Sequence, residues 1–166
     1  MTAIETRVAV SPVFRLTPLY WLALGTFAVG TEAFMIAAIL PRIAADLAVS
    51  LQATAQLVTI FALTYAISSP ILTALTSGFK RRKILILAMM AFAGANLFAA
   101  TASTFASLAS ARFLLAVCAG LYTPSATALA GVLVPPERRG RALAIVTGGT
   151  SLSVALGVPL RFRYWA

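Results

Sequence analysis

Apolar residues dominate five long stretches of this chain, at 17–40, 53–75, 84–103, 106–131 and 142–160. A helix needs about 20 mostly apolar residues to cross the hydrocarbon core of a bilayer. The pattern therefore predicts five membrane-spanning helices. None of the stretches alternates apolar and polar positions with period two, which argues against a β-barrel. Helices satisfy their backbone hydrogen bonds internally, as lipid requires. The apolar part of the first stretch runs from Leu19 to Leu40. That exceeds the about 7–15 apolar residues of a secretion signal, and more spans follow, so the first helix is expected to stay in the protein.

The links between stretches are short. Segment 41–52 carries Arg42 and Asp46, segment 76–83 reads Thr-Ser-Gly-Phe-Lys-Arg-Arg-Lys, and Thr104 and Phe105 alone join the third stretch to the fourth. Segment 132–141 holds Pro135, Pro136, Glu137, Arg138, Arg139 and Arg141. Such links leave no room for a soluble domain, and sequential helices are expected to be antiparallel neighbours. The fold class is all-α: a polytopic membrane bundle with an N-terminal tail at 1–16, five spans within 17–160 and a C-terminal tail at 161–166.

Composition agrees. Hydrophobic residues make up 61% of the 166 and charged residues 10%, against about 25% charged in a soluble domain. With no His and a single Cys, a disulfide framework, a thiol-rich metal site and a His-based triad are excluded. No paired acids and no nucleophile beside a base are present, so an enzyme is not expected. The net charge of +9 has a topological explanation. With a cytoplasmic N-terminus, nine basic residues (Arg7, Arg15, Lys80, Arg81, Arg82, Lys83, Arg138, Arg139 and Arg141) fall inside, and three (Arg42, Arg161 and Arg163) fall outside. The positive-inside rule favours that orientation. The partner these charges imply is the lipid bilayer, not nucleic acid.

Only Glu32 and Arg112 are charged within the five stretches. An ionisable side chain at such depth costs at least about 2.5 kcal/mol, which makes each a functional-site candidate. At about 1.5 Å per residue, Glu32 lies about 12 Å and Arg112 about 9 Å below the same outer surface. The two are expected to face each other across the bundle. Burial and a neighbouring guanidinium act on a carboxylate in opposite senses, so Glu32 is the candidate for binding a proton or a cation. A permanent ion pair, or an Arg reaching up to the interface, is the structural alternative. Gln56, Tyr65, Asn96, Tyr122 and Thr123 are candidate cavity-lining residues, and interhelical hydrogen bonding accounts for them equally well. Ala116, Gly120, Pro124 and Ala128 recur every four residues in the fourth stretch, as Gly149, Ser153 and Gly157 do in the fifth, followed by Pro159. Small residues so spaced let helices approach closely.

Four places carry a resemblance to a known family. Gly30-Thr31-Glu32-Ala33-Phe34, with Leu40-Pro41 and Ile43-Ala44-Ala45-Asp46-Leu47, looks like its first helix and outer loop. Leu75 through Lys83 lies where it has a basic cytoplasmic loop between helices two and three. Ala111-Arg112-Phe113 through Gly120 is similar to its helix-four arginine motif, and Gly148-Gly149 through Gly157-Val158-Pro159 to its helix-five antiporter motif. From about Leu16 to Leu160 the chain resembles the N-terminal half of the major facilitator superfamily, in its bacterial drug:proton antiporter and sugar or nucleoside efflux branch. The resemblance implies proton-coupled efflux of a drug, sugar or other small metabolite by alternating access, in the bacterial inner membrane. The proton gradient would be the energy source, without a cofactor. Arg81, Arg82, Lys83, Gly149, Gly157 and Pro159 would belong to conformational motifs.

The chain also departs from the family pattern. The loop motif keeps its basic end, but Ser77 stands about where its acid belongs, and Ala116 replaces a glycine of the helix-four motif. The family fold needs two six-helix halves with the substrate path between them. Five spans, followed by Arg161-Phe162-Arg163-Tyr164-Trp165-Ala166, fall short of one half, and Arg161 and Arg163 break the charge rule. The sequence therefore reads as a truncated or fragmentary N-terminal part whose missing C-terminal helices would be its partner. The alternative is a non-transporting membrane fragment or helper subunit.

Overall fold

The computed structural model describes residues 16–157. They form helices α1 (Thr17–Asp46), α2 (Leu51–Leu75), α3 (Arg81–Ala100), α4 (Phe105–Val132) and α5 (Arg139–Leu152). A 3-10 turn at Pro136–Arg138 precedes α5 and a π-helical turn at Ser153–Gly157 follows it, and no strand occurs among the described residues. Helices α1 to α4 are each long and apolar enough to cross a membrane. The fifth expected span is helical from Arg139 to Gly157. Its last residues, 158–160, lie outside the described residues, as do the expected tails at 1–15 and 161–166.

Local chemistry sets the helix starts. Ser50 accepts a hydrogen bond from the Ala53 amide at 3.1 Å and caps α2. Thr104 and Ser107 cap α4 reciprocally, each side chain accepting from the other's amide; this box satisfies two amides that otherwise lack a partner. Prolines occupy the first turns of α1 and of the 3-10 turn, where a missing N–H costs nothing.

Several boundaries differ from the hydropathy reading. α1 passes Leu40 and Pro41 and continues to Asp46, its last turn carrying an exposed Arg42–Asp46 pair at 3.7 Å. Polar residues leaving the hydrocarbon end an apolar run without ending a helix. Ala48, at φ 53°, then turns the chain. Likewise α5 begins at Arg139, before its apolar run at 142, whereas α3 stops at Ala100 instead of 103.

Helix α4 is the centre of the bundle. It packs against α2 and α3, and also against α1 and α5, while α1 packs on α5 and α2. The expectation that sequential helices are neighbours fails for α2 and α3. Both lie on α4 and make no substantial contact with one another. The arrangement is pseudo-symmetric: α2 lies on α4 as α5 lies on α1, and the α1–α2 contact is matched by α4–α5. The α2–α4 and α1–α5 seams each depend on a glycine. A Cβ at Gly120 of α4 would lie 2.6 Å from the Ser68 hydroxyl and 3.3 Å from the Ser69 amide of α2. A Cβ at Gly149 of α5 would collide with the Ala23 carbonyl and the Thr26 hydroxyl of α1. The small-residue spacing thus serves close helix approach. Leu63, Ile67, Met90 and Leu97 stand on the outside of the described bundle.

Candidate functional site

Glu32 leaves α1 and Arg112 leaves α4 toward each other, eighty residues apart in sequence. Arg112 Nη1 donates to Glu32 Oε1, and the two form an ion pair. The side chain of Arg112 is 2% exposed and that of Glu32 12%. The pair is thus an internal crossing point of α1 and α4, and Arg112 does not reach an interface. The guanidinium also lies over the Phe61 ring of α2, its Cζ 4.4 Å from the ring centroid. Phe61 in turn stacks on Tyr65, one turn along, at 6.3 Å and an interplanar angle of 13°. Three helices therefore meet at one cation.

The pairing is incomplete in hydrogen bonds. Glu32 Oε2 and Arg112 Nε and Nη2 are buried and have no hydrogen-bond partner among the described residues. Bidentate contact would have used both carboxylate oxygens; here a single bond joins the groups. Two buried charges offset each other's desolvation only partly under those conditions.

Glu32 also lines a cavity of about 480 Å³ between α1 and α3, with Leu24, Phe27, Ala28, Thr31, Met35, Phe92 and Asn96. Asn96 is half-buried and donates its Nδ2 to the Phe92 carbonyl at 2.9 Å. At the other end of the bundle a groove of about 890 Å³ opens between α1, α3 and α4, lined by Trp21, Arg82, Met89 and Tyr122 among others. Tyr122 is buried and donates its hydroxyl to the Leu22 carbonyl of α1 at 3.2 Å.

The other sequence candidates divide. Tyr65 is brought to Arg112 through Phe61, and Asn96 shares a cavity with Glu32. Gln56 is exposed on α2, and Thr123 is half-buried on α4, its main-chain carbonyl accepting from the Thr127 hydroxyl. Arg81, Arg82 and Lys83 are exposed in the first turn of α3. Gly149 lies in the α1–α5 seam, Gly157 closes the π-helical turn, and Pro159 lies outside the described residues. Phe61 and Thr26 escaped the sequence reading. Phe61 with Tyr65 is an aromatic pair at helical spacing, the one signal that pointed to it; Thr26 gave none.

Ionisable side chains paired between long apolar helices mark Glu32 and Arg112 as a candidate functional site. Residues 22–161 match the Major Facilitator Superfamily, and the chain belongs to that superfamily of transporters. It is 37% identical over 142 residues to the MFS-type transporter YbcL of Bacillus subtilis. To a chloramphenicol resistance protein of Streptomyces lividans it is 35% identical over 142 residues. Each of these matches covers 86% of this chain and 36% of the relative. A chloramphenicol efflux pump of Mycobacterium tuberculosis is 34% identical over 144 residues, 87% of this chain and 35% of the pump. The chain thus spans about 36% of the length of the first two relatives. It is a multi-pass membrane protein.

Proposed function

We propose that this chain is the proton-responsive N-terminal part of an efflux transporter in the bacterial cytoplasmic membrane, with its N-terminus in the cytoplasm. The observation that carries the reading is the buried Glu32–Arg112 pair between α1 and α4. A proton arriving at the Glu32 carboxylate removes the negative charge and leaves Arg112 without its counter-ion. An uncompensated buried cation is costly, so protonation favours a rearrangement of α1 against α4 and α2. Loss of the proton restores the pair. Coupling that exchange to alternating access of a central path moves a small molecule outward as protons move inward, with the gradient as the energy source and no cofactor. The nine-to-three distribution of basic residues supports the orientation. The relatives named for chloramphenicol support a small organic substrate and make chloramphenicol the probe.

The test places residues 22–161 in the matching segment of the Streptomyces lividans relative and follows chloramphenicol in membrane vesicles under an imposed proton gradient. Gradient-driven movement is expected, and Glu32→Gln should abolish it without loss of the protein from the membrane. Undiminished movement in the Glu32→Gln chimera overturns the assignment.

A further inference from the structure

Arg112 has a second electrostatic partner that does not titrate. Its guanidinium carbon lies 4.4 Å from the centroid of the Phe61 ring, within the about 6 Å over which an aromatic face attracts a cation. The ring is itself backed by Tyr65, nearly parallel to it. Of the guanidinium nitrogens only Nη1 meets an acceptor, Glu32 Oε1, while Nε and Nη2 meet none among the described residues. Within the membrane segments α1 offers Tyr20 and Glu32 as titratable groups, α2 Tyr65, and α4 Arg112, Cys118 and Tyr122. The apolar parts of α3 and α5 offer none. Asp46 and Glu137 lie at helix ends. When Glu32 is neutral, no other carboxylate among the described residues is at hand for Arg112, and the Phe61 ring is the group already in contact with it.

We propose that Phe61 is a positioning residue for Arg112: its ring face keeps the guanidinium between α1, α2 and α4 while Glu32 carries a proton. The proposal rests on the proton-responsive reading of Glu32. A long side chain freed of its counter-ion tends to stretch toward the nearest interface, and once there it no longer meets Glu32 when the proton leaves. The ring prevents that excursion because its attraction is independent of pH. It makes the ion pair reversible without supplying a competing negative charge, which would hold Arg112 permanently. Tyr65, stacked behind Phe61, fixes the plane of the ring.

The experiment uses the full chain in lipid vesicles at one fixed pH and reads the accessibility of Arg112. Phenylglyoxal modifies exposed guanidinium groups, and peptide mapping by mass spectrometry assigns the modification to Arg112. In Glu32→Gln, which imitates the protonated acid, labelling should stay within about twofold of the unmodified chain. In Glu32→Gln/Phe61→Leu it should rise about tenfold or more, as expected for loss of a desolvated cation–π contact. Phe61→Leu alone should label like the unmodified chain, and Glu32→Gln/Phe61→Trp should return to low labelling. If Glu32→Gln alone labels as fully as the double variant, or the double no more than the single, the positioning role is overturned. Should the Leu double variant fail to fold, Glu32→Gln/Phe61→Met takes its place with the same expected rise. The infrared carboxyl band of Glu32, followed against pH in the unmodified chain, separates the two readings. An acid that never takes up a proton sinks the functional reading, whereas the labelling at fixed pH still decides whether Phe61 holds Arg112.

Discussion

Thr26 on α1 donates its hydroxyl to the main-chain oxygen of Val146 on α5 at 2.6 Å, while sharing the same proton with the Ala23 carbonyl at 2.9 Å. The contact is buried, and Gly149, one turn along α5, lets the α1 backbone come in close enough to make it. The α1–α5 seam is therefore joined by backbone and hydroxyl groups where lipid-facing side chains would give only packing.

Gly149→Ala should separate that seam. The added methyl meets the Ala23 carbonyl and the Thr26 hydroxyl, and overpacking of this kind costs about 1–3 kcal/mol. Gly148 is the control, since a Cβ there meets nothing within 4 Å. Thermal unfolding in detergent should show a lower midpoint for Gly149→Ala and no loss for Gly148→Ala. Equal midpoints would mean that the seam is looser than the structure places it.

The Glu32–Arg112 pair predicts strong non-additivity. Removing either member alone leaves an uncompensated buried charge, at about 3–5 kcal/mol. Glu32→Ala and Arg112→Ala should each lower the unfolding midpoint in a detergent titration. Glu32→Gln/Arg112→Met, which removes both charges, should recover most of the loss. A double variant as unstable as the sum of the singles would show that the two groups do not interact.

Tyr122 makes a separable contribution. Tyr122→Phe removes the hydrogen bond to the Leu22 carbonyl and should cost about 1 kcal/mol. Gly25→Ala places a methyl against the Tyr122 hydroxyl and ring and should cost more, about 1–3 kcal/mol. The order of the two unfolding midpoints is the check: Gly25→Ala must fall below Tyr122→Phe.

Ala48 holds a left-handed backbone at φ 53° just past the end of α1. A residue with a Cβ is disfavoured there by about 1–2 kcal/mol, partly offset by the greater freedom of glycine when unfolded. Ala48→Gly should raise the unfolding midpoint, making it a stabilising substitution outside the bundle core. A lowered midpoint would count against a left-handed turn at this position.

Replacing Lys80, Arg81, Arg82 and Lys83 together by neutral residues should scramble orientation in reporter fusions, because these four exposed charges form the densest basic cluster. Retained orientation would show that the remaining basic residues suffice.

The helices were legible because lipid imposes a length and a composition on any segment that crosses it, and the chain obeys both. Glu32 and Arg112 stood out because charge is scarce in such segments, and the helical rise alone placed them at similar depth. Phe61 did not stand out, since an aromatic residue in an apolar helix has an ordinary packing explanation until its neighbour is known. Thr26 was hidden in the same way. The C-terminal end of α1 was misjudged because hydropathy reports where lipid stops, whereas hydrogen bonding reports where the helix stops. That α2 and α3 pack on α4 and not on each other was illegible, since a short link fixes succession but not adjacency.

That last relation bears on how the chain is made. Synthesis delivers α2 and α3 well before the helix that both of them clasp. Until α4 has left the insertion machinery, the nascent chain holds two apolar rods joined by a five-residue tether, with no seam between them. Cross-links between α2 and α3 in chains halted after residue 103 should accordingly be heterogeneous and sharpen only once residue 132 has emerged; a single sharp pattern at the earlier stage would contradict this order. Helix α4 acts as a keystone for α2 and α3, and the Arg112 charge it carries meets Glu32 only once that helix has been inserted.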